Sequence, residues 1–297
     1  MRHRLSGFVA AAAAAVLGSV LAAPRVAGDP APAPAKDWLV AHVEKSASTT
    51  GRIGWDGFAP GSWVERASEP AAPATDTGAA AVSVSATHVR ETLVERSDAS
   101  ATVRVQFRLR RDRSWPEGAA TPLPRTTAAP GEVQADVRDA VALDRDGTKL
   151  TCTERTLRRM SGGKVAATRV LWTDAAGRLV RWSQDDGDGW AVTYDVVREG
   201  VPFPLGDRVL TCRELRKRAT SVTMKVDLTA TELWCPDVPD FLVRSETVMV
   251  GGPPGAQTTS PAQVVVLVAM ETRPADPAKA PTAAPAPGAT PTPSPAR

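Results

Sequence analysis

Nucleophilic catalysis needs an activated serine or cysteine beside a histidine and a carboxylate. This 297-residue chain offers few such groups. Apart from His3 it has two histidines, His42 on a predicted helix and His88 on a predicted strand. His88 reads as a surface or rim residue. There is no Gly-x-Ser-x-Gly elbow, and Ser62 in "PGSWV" sits in a turn that enters a strand. In "SQDDGDGW", Asp185, Asp186 and Asp188 present oxygens that calcium favours, but the distal bidentate glutamate and flanking helices of an EF-hand are missing. An acidic hairpin turn accounts for the same residues, with Gly187 and Gly189 supplying positive φ. Zinc-protease, P-loop and dinucleotide fingerprints are absent. The expectation is no catalytic residue, no metal, no cofactor and no enzyme.

Two basic runs, "RLRRDR" (108–113) and "RELRKR" (213–218), are candidates for contact with anionic envelope polymers or lipid headgroups. Arginines that alternate along a strand are, more simply, its solvated face and discourage edge pairing. Aromatics that would stack on bases are not interleaved with them, so nucleic acid is not an expected partner. Eight tryptophans stand beside one tyrosine and five phenylalanines. Trp63, Trp172, Trp182 and Trp234 fall at strand ends, where large rings seal the open ends of a curved sheet or line a groove.

The elements that would position these residues lie between two low-complexity ends. Arg2 and Arg4 precede an apolar run to Ala23, the pattern of a secretory signal peptide. Cleavage is expected after residue 22, with 28 as the alternative, leaving no transmembrane anchor in the mature protein and placing it in the periplasm or outside the cell. Without residues 1–22 the chain carries 34 basic and 33 acidic residues, too balanced to steer it to nucleic acid or an anionic membrane. Residues 23–35 form a Pro/Ala linker and 274–297 a Pro-rich tail, both expected to be disordered. Residues 36–273 are left as the β-rich domain.

Within that domain "KDWLVAHVEKS" (36–46) has helical spacing, and nearly everything after it alternates with period two. "TVRVQFRLR" places Val103, Val105, Phe107 and Leu109 on one face of a strand, the candidate ligand-facing residues of a concave sheet. Seven further strands are expected between Lys164 and Thr272. The predicted fold is mainly β: an antiparallel curved sheet or partly closed barrel with one short N-terminal helix.

The sheet contains a repeat. "LTCTE" at 150–154, Leu171–Trp172 and "LVR" at 179–181 recur in order as "LTCRE" at 210–214, Leu233–Trp234 and "LVR" at 242–244. Duplicated meander units near 140–184 and 200–247 are expected. Three cysteines in an oxidising compartment suggest one disulfide and one buried thiol. With a turn centred on Gly162, Cys152 faces Trp172, and by repeat equivalence Cys212 faces Trp234. A bulge at 229–231 would then bring Cys235 opposite Cys212, making that pair the candidate disulfide; without it Cys235 points to the other face.

"WDGFAPGSWVERAS" (55–68) and "TELWCPDVPDFLVRSET" (231–247) resemble a group of uncharacterised exported bacterial β-rich proteins, itself loosely similar to the outer-membrane lipoprotein carrier. That resemblance implies a curved antiparallel sheet around a hydrophobic cavity, and no catalytic residue to carry over. The usual Gly-Gly after the Val-Pro turn is replaced here by Asp240–Phe241. Two functions are expected from it: a non-catalytic exported envelope protein that binds lipid or another hydrophobic ligand, or an envelope interaction or scaffolding module with a filled core.

Overall fold

Alternating β-branched and polar residues favour extended backbone, and "D-G" and "G-G" pairs supply the left-handed turns that fold it back. The computed structural model describes residues 36–50, 54–70, 87–97, 100–109, 114–118, 120–124, 126–127, 132–252 and 257–275. The expected signal peptide, most of the linker and nearly all of the tail lie outside them. One helix, α1 (Trp38–Ser48), is followed by strands β1 (Thr49–Thr50), β2 (Trp63–Pro70), β3 (Thr87–Arg96), β4 (Ser100–Leu109), β5 (Ala120–Pro124) and β6 (Thr126–Thr127). Then come β7 (Val133–Arg145), β8 (Thr148–Ser161), β9 (Lys164–Thr173), β10 (Leu179–Asp185), β11 (Trp190–Leu205) and β12 (Arg208–Ser221). The last are β13 (Val226–Trp234), β14 (Leu242–Gly251), β15 (Thr258–Thr259) and β16 (Gln263–Glu271).

Among these residues fourteen strands form one antiparallel sheet, ordered β5-β4-β3-β2-β16-β14-β13-β12-β11-β10-β9-β8-β7, with β15 on β14. The sheet is mainly built from hairpins, as expected, and it is open: β5 and β7 are its two ends. It curves enough for β11 and β16, which are not neighbours in the order, to approach each other. Helix α1 packs on β8, β9 and β10, while β1 just after it pairs with β6 just after β5. The helical segment therefore links the neighbourhoods of both free edges.

Three apolar clusters result. Leu39, Val40, Val43 and Ala47 of α1 bury against Leu157, Leu171, Trp182, Tyr194 and Leu215. Val64, Leu93, Val103, Cys212, Cys235 and Val243 form a second cluster with Trp55 and Phe58 of the turn before β2. A small third holds Leu143, Cys152 and Val180. Strand β11 runs to Leu205 because its bulges on β12 carry the pairing around Gly200.

The repeated units are the meanders β8–β10 and β12–β14, but their tryptophans do not match. Across β8 and β9, Glu154 pairs with Trp172; across β12 and β13, Arg213 pairs with Trp234. The first hairpin turns on Gly162–Gly163 with a bulge at Arg159/Met160, and the second turns on the four residues 222–225. One residue of offset inverts every side chain. Trp172 thus packs with Cys152, whereas Trp234 packs against the cluster under the helix.

Candidate ligand site

The helix is held in place before any site is formed. Asp37 caps it, its Oδ1 accepting from Leu39 N at 2.9 Å, and the same carboxylate accepts from Arg213 Nη1 at 2.6 Å and Leu179 N at 3.0 Å. Arg213 also stacks over Trp38, 5.4 Å from the ring centroid. The basic run from 213 is therefore not simply a solvated face: its first arginine is half-buried and anchors the helix.

Beneath the helix is an aromatic floor. Trp182 stacks on Tyr194 at 4.1 Å, and Trp234 meets both edge-on at 5.8 and 5.7 Å. Trp234 continues to Phe241, which touches His42 at 4.6 Å. Burial lowers the His42 pKa to about 4, only partly offset by Asp56. Burial and then the Glu232 charge push the Tyr194 hydroxyl up, so the floor is uncharged at neutral pH.

Two hollows open on either side of the loop 235–241, and both are lined by Trp234 and Asp240. One, about 450 Å³, lies between α1 and the loop and is lined by His42, Arg169 and Phe241. The other, about 500 Å³, joins distant strands: Val89, Leu242 and Val265 give it apolar wall, and Arg66, Glu91, Lys217 and Glu232 give it charge. Arg66 Nη1 donates to Glu91 at 3.1 Å and its other nitrogens donate to Leu242 O and Pro239 O at 3.0 and 2.8 Å. Lys217 lies 3.7 Å from Glu232, which accepts from Trp234 Nε1 at 2.7 Å. Asp240 and Phe241 both have positive φ, and Asp240 N donates to Gly54 O. A Cβ on Gly54 would stand 2.5 Å from Asp240 Cα, so this approach requires glycine.

The expected ligand-facing row is on one face but meets different surroundings. Val103 pairs with Leu93 and is 0 % exposed, a core residue rather than a ligand contact. Val105, opposite Glu91, packs on the same core. Phe107 is opposite Val89 of the larger hollow and is 59 % exposed. Leu109 is half-buried at the strand end. Tryptophan as core filler holds for Trp55 and Trp182, both buried, while Trp234 also lines the hollows.

The groups considered for catalysis lie elsewhere and serve the fold. Ser62 is fully buried, accepting from Arg273 N at 2.9 Å and donating to Arg273 O at 3.3 Å. His88 is not a surface or rim residue: it is 9 % exposed, with Nδ1 2.9 Å from Glu65. Glu65 also accepts from Arg90 and Arg108 at 2.9 and 3.0 Å. Trp115 lies over both guanidinium groups and Trp63 over that of Arg90. Arg108, like Arg213, is thus spent on structure, because a buried carboxylate requires cationic donors. No hydroxyl or thiol meets the second nitrogen of His88, Nε2, which has no hydrogen-bond partner among the described residues. In the acidic turn, Asp185 and Asp188 accept from the backbone of Gly187 and Trp190, and Asp186 accepts from Arg169. No group of metal-ligating residues occurs among the described residues.

All three cysteines are buried and free. The β12–β13 register ends at Arg213–Trp234, leaving Cys212 and Cys235 as the next residue on each side, with no bulge at 229–231, where Arg218–Thr229 to Arg216–Thr231 pair without interruption. The expected bulge is corrected: the four-residue turn, not a bulge, sets this facing. The hollow's charged pairs were missed from sequence, although the phasing of "THVRETL" (87–93) carried a signal. Glu91 stands between Val89 and Leu93, and Arg66 two residues after Val64, where an apolar face would be unbroken. No helix among the described residues is long and apolar enough to cross a membrane. No family model, curated protein or solved structure matches the chain.

Proposed function

We propose that this chain is a non-catalytic exported envelope protein that binds an amphipathic ligand, a lipid or similar molecule, on the inner face of its curved sheet. The observation that carries this reading is Phe107: a large apolar ring, 59 % exposed, directly across from Val89 in the wall of the 500 Å³ hollow. Exposing such a ring forgoes burial worth about 1.5–3 kcal/mol, which a bound chain would recover. The hollow has the size of small-molecule sites, mostly apolar with a few placed polar groups. An acyl chain would lie over Val89 and Phe107, with its head toward Arg66 and Lys217. The resemblance to exported β-rich proteins that are themselves loosely similar to the outer-membrane lipoprotein carrier points the same way. Export to the periplasm or beyond rests on the N-terminal pattern, and N-terminal sequencing of the native protein tests it.

The scaffold alternative also has an observation in its favour: two large clusters fill much of the inner face, and Val64, Leu93 and Val103 are fully buried. Titration with a fluorescent long-chain fatty acid separates the two. Saturable binding that Phe107→Asp weakens at least tenfold, with melting unchanged, supports the carrier. Failure of the wild-type protein to bind, or binding indifferent to Phe107→Asp, overturns it in favour of the scaffold.

A further inference from the structure

We infer that Cys212 and Cys235 are joined by a disulfide that ties the loop 235–241 to β12. The inference does not depend on the ligand reading. Register brings the two close: the β12–β13 ladder ends at Arg213–Trp234, and Cys212 and Cys235 are the residues next to that last pair. Both side chains lie in the same apolar cluster, at 1 % and 0 % exposure. Interaction between the two sulfurs pushes the Cys212 pKa up and, with the backbone N–H of Asp237, holds that of Cys235 below the ordinary thiol value, while Cys235 Sγ also lies 4.0 Å from Asp237 Oδ2. These contacts favour thiolate on Cys235 and thiol on Cys212, the polarity of an attacking and a resolving sulfur. Cys152 sits in a separate cluster with Leu143 and Val180, outside this pairing.

The loop has something for a covalent tie to hold. Asp240 and Phe241 are non-glycine residues in left-handed backbone, which persists only where the surroundings enforce it. Their restraints are hydrogen bonds: Cys235 N to Phe241 O at 2.8 Å, Phe241 N to Val238 O at 2.8 Å, and Arg66 to Pro239 O at 2.8 Å. The oxidant is a disulfide compound that reaches the cysteines before the loop docks. Cys235 thiolate attacks one of its sulfurs, and the other leaves as a thiolate. Cys212, giving up its proton, attacks the Cys235 sulfur and expels the second. The cysteines lose two electrons, and the oxidant leaves as two thiols carrying the two protons.

The full chain refolded in oxidised and reduced glutathione, then denatured and alkylated with a mass tag, tests this. One tag, on Cys152, is expected without reductant and three after reduction; Cys152→Ser should carry none before reduction. Three tags without reductant, or a linked peptide containing Cys152, overturns the pairing. Reduction should lower the melting temperature by about 5–10 °C and speed amide exchange in 235–241. A bond whose reduction leaves that exchange unchanged overturns the tie to the loop.

Discussion

Replacing Glu65 should be costly, because it removes the shared partner of three cationic side chains. Its carboxylate, 5 % exposed as a residue, accepts from His88, Arg90 and Arg108. Removing one partner of a buried ion pair costs about 3–5 kcal/mol. Here the figure falls, because the side chains of Arg90 and Arg108 keep 27 % and 20 % of their exposure and rest on Trp63 and Trp115. Glu65→Ala is expected to cost about 2–3 kcal/mol after that screening. Glu65→Gln, which keeps shape and one acceptor, should cost about half as much. Urea denaturation followed by tryptophan fluorescence measures both, with the slope unchanged. The pH dependence gives a second reading. Burial would push the Glu65 pKa up, but hydrogen bonds from Arg90, His88 and Arg108 outweigh it and hold it below 4.5. Its contribution is therefore complete above pH 4.5 and is lost as pH falls through the lower folded value. A cost under about 0.5 kcal/mol for Glu65→Ala, or an acid limb identical in Glu65→Gln, would refute the reasoning.

His42 should add an earlier acid sensitivity. Its folded pKa of about 4 lies below the ordinary 6.5, so stability falls with pH across that window, by about 2 kcal/mol between pH 7 and 5; His42→Gln should flatten this limb in denaturation at the two pH values. Asp37→Ala removes the helix cap and the partner of Arg213 and Leu179 N together, and about 2–4 kcal/mol should be lost with protease sensitivity appearing in α1. Val103→Ala should cost about 1–3 kcal/mol and Phe107→Ala under about 1.5 kcal/mol by thermal melting, despite the larger truncation, because only Val103 is enclosed. Equal or inverted costs would place Phe107 in the core.

The alternation of apolar and polar residues by itself determined that this chain is a β protein, because period two is a property of one strand and needs no partner. The helix was legible for a similar reason: the spacing of Trp38, Leu39 and His42 or Val43 defines a face within a few turns of chain, while the Asp37 cap emerged only in the structure. The repeated "LTC" phrase likewise announced two meanders. Which face each repeat residue occupies was not legible. Trp172 and Trp234 share a motif and point oppositely because a two-residue turn with a bulge and a four-residue turn shift the register by one. The same parity sets Cys212 against Cys235. His88 looked like a rim residue until the sheet placed Glu65, Arg90 and Arg108 around it from three strands. Phe107 and Val103 are equivalent in the strand's own pattern, and curvature buries one under Trp55 and Phe58's cluster while leaving the other open. Strand identity is a local free-energy preference; register parity and curvature are settled by the packing of segments a hundred residues apart, and they decided where the hollows of this protein lie.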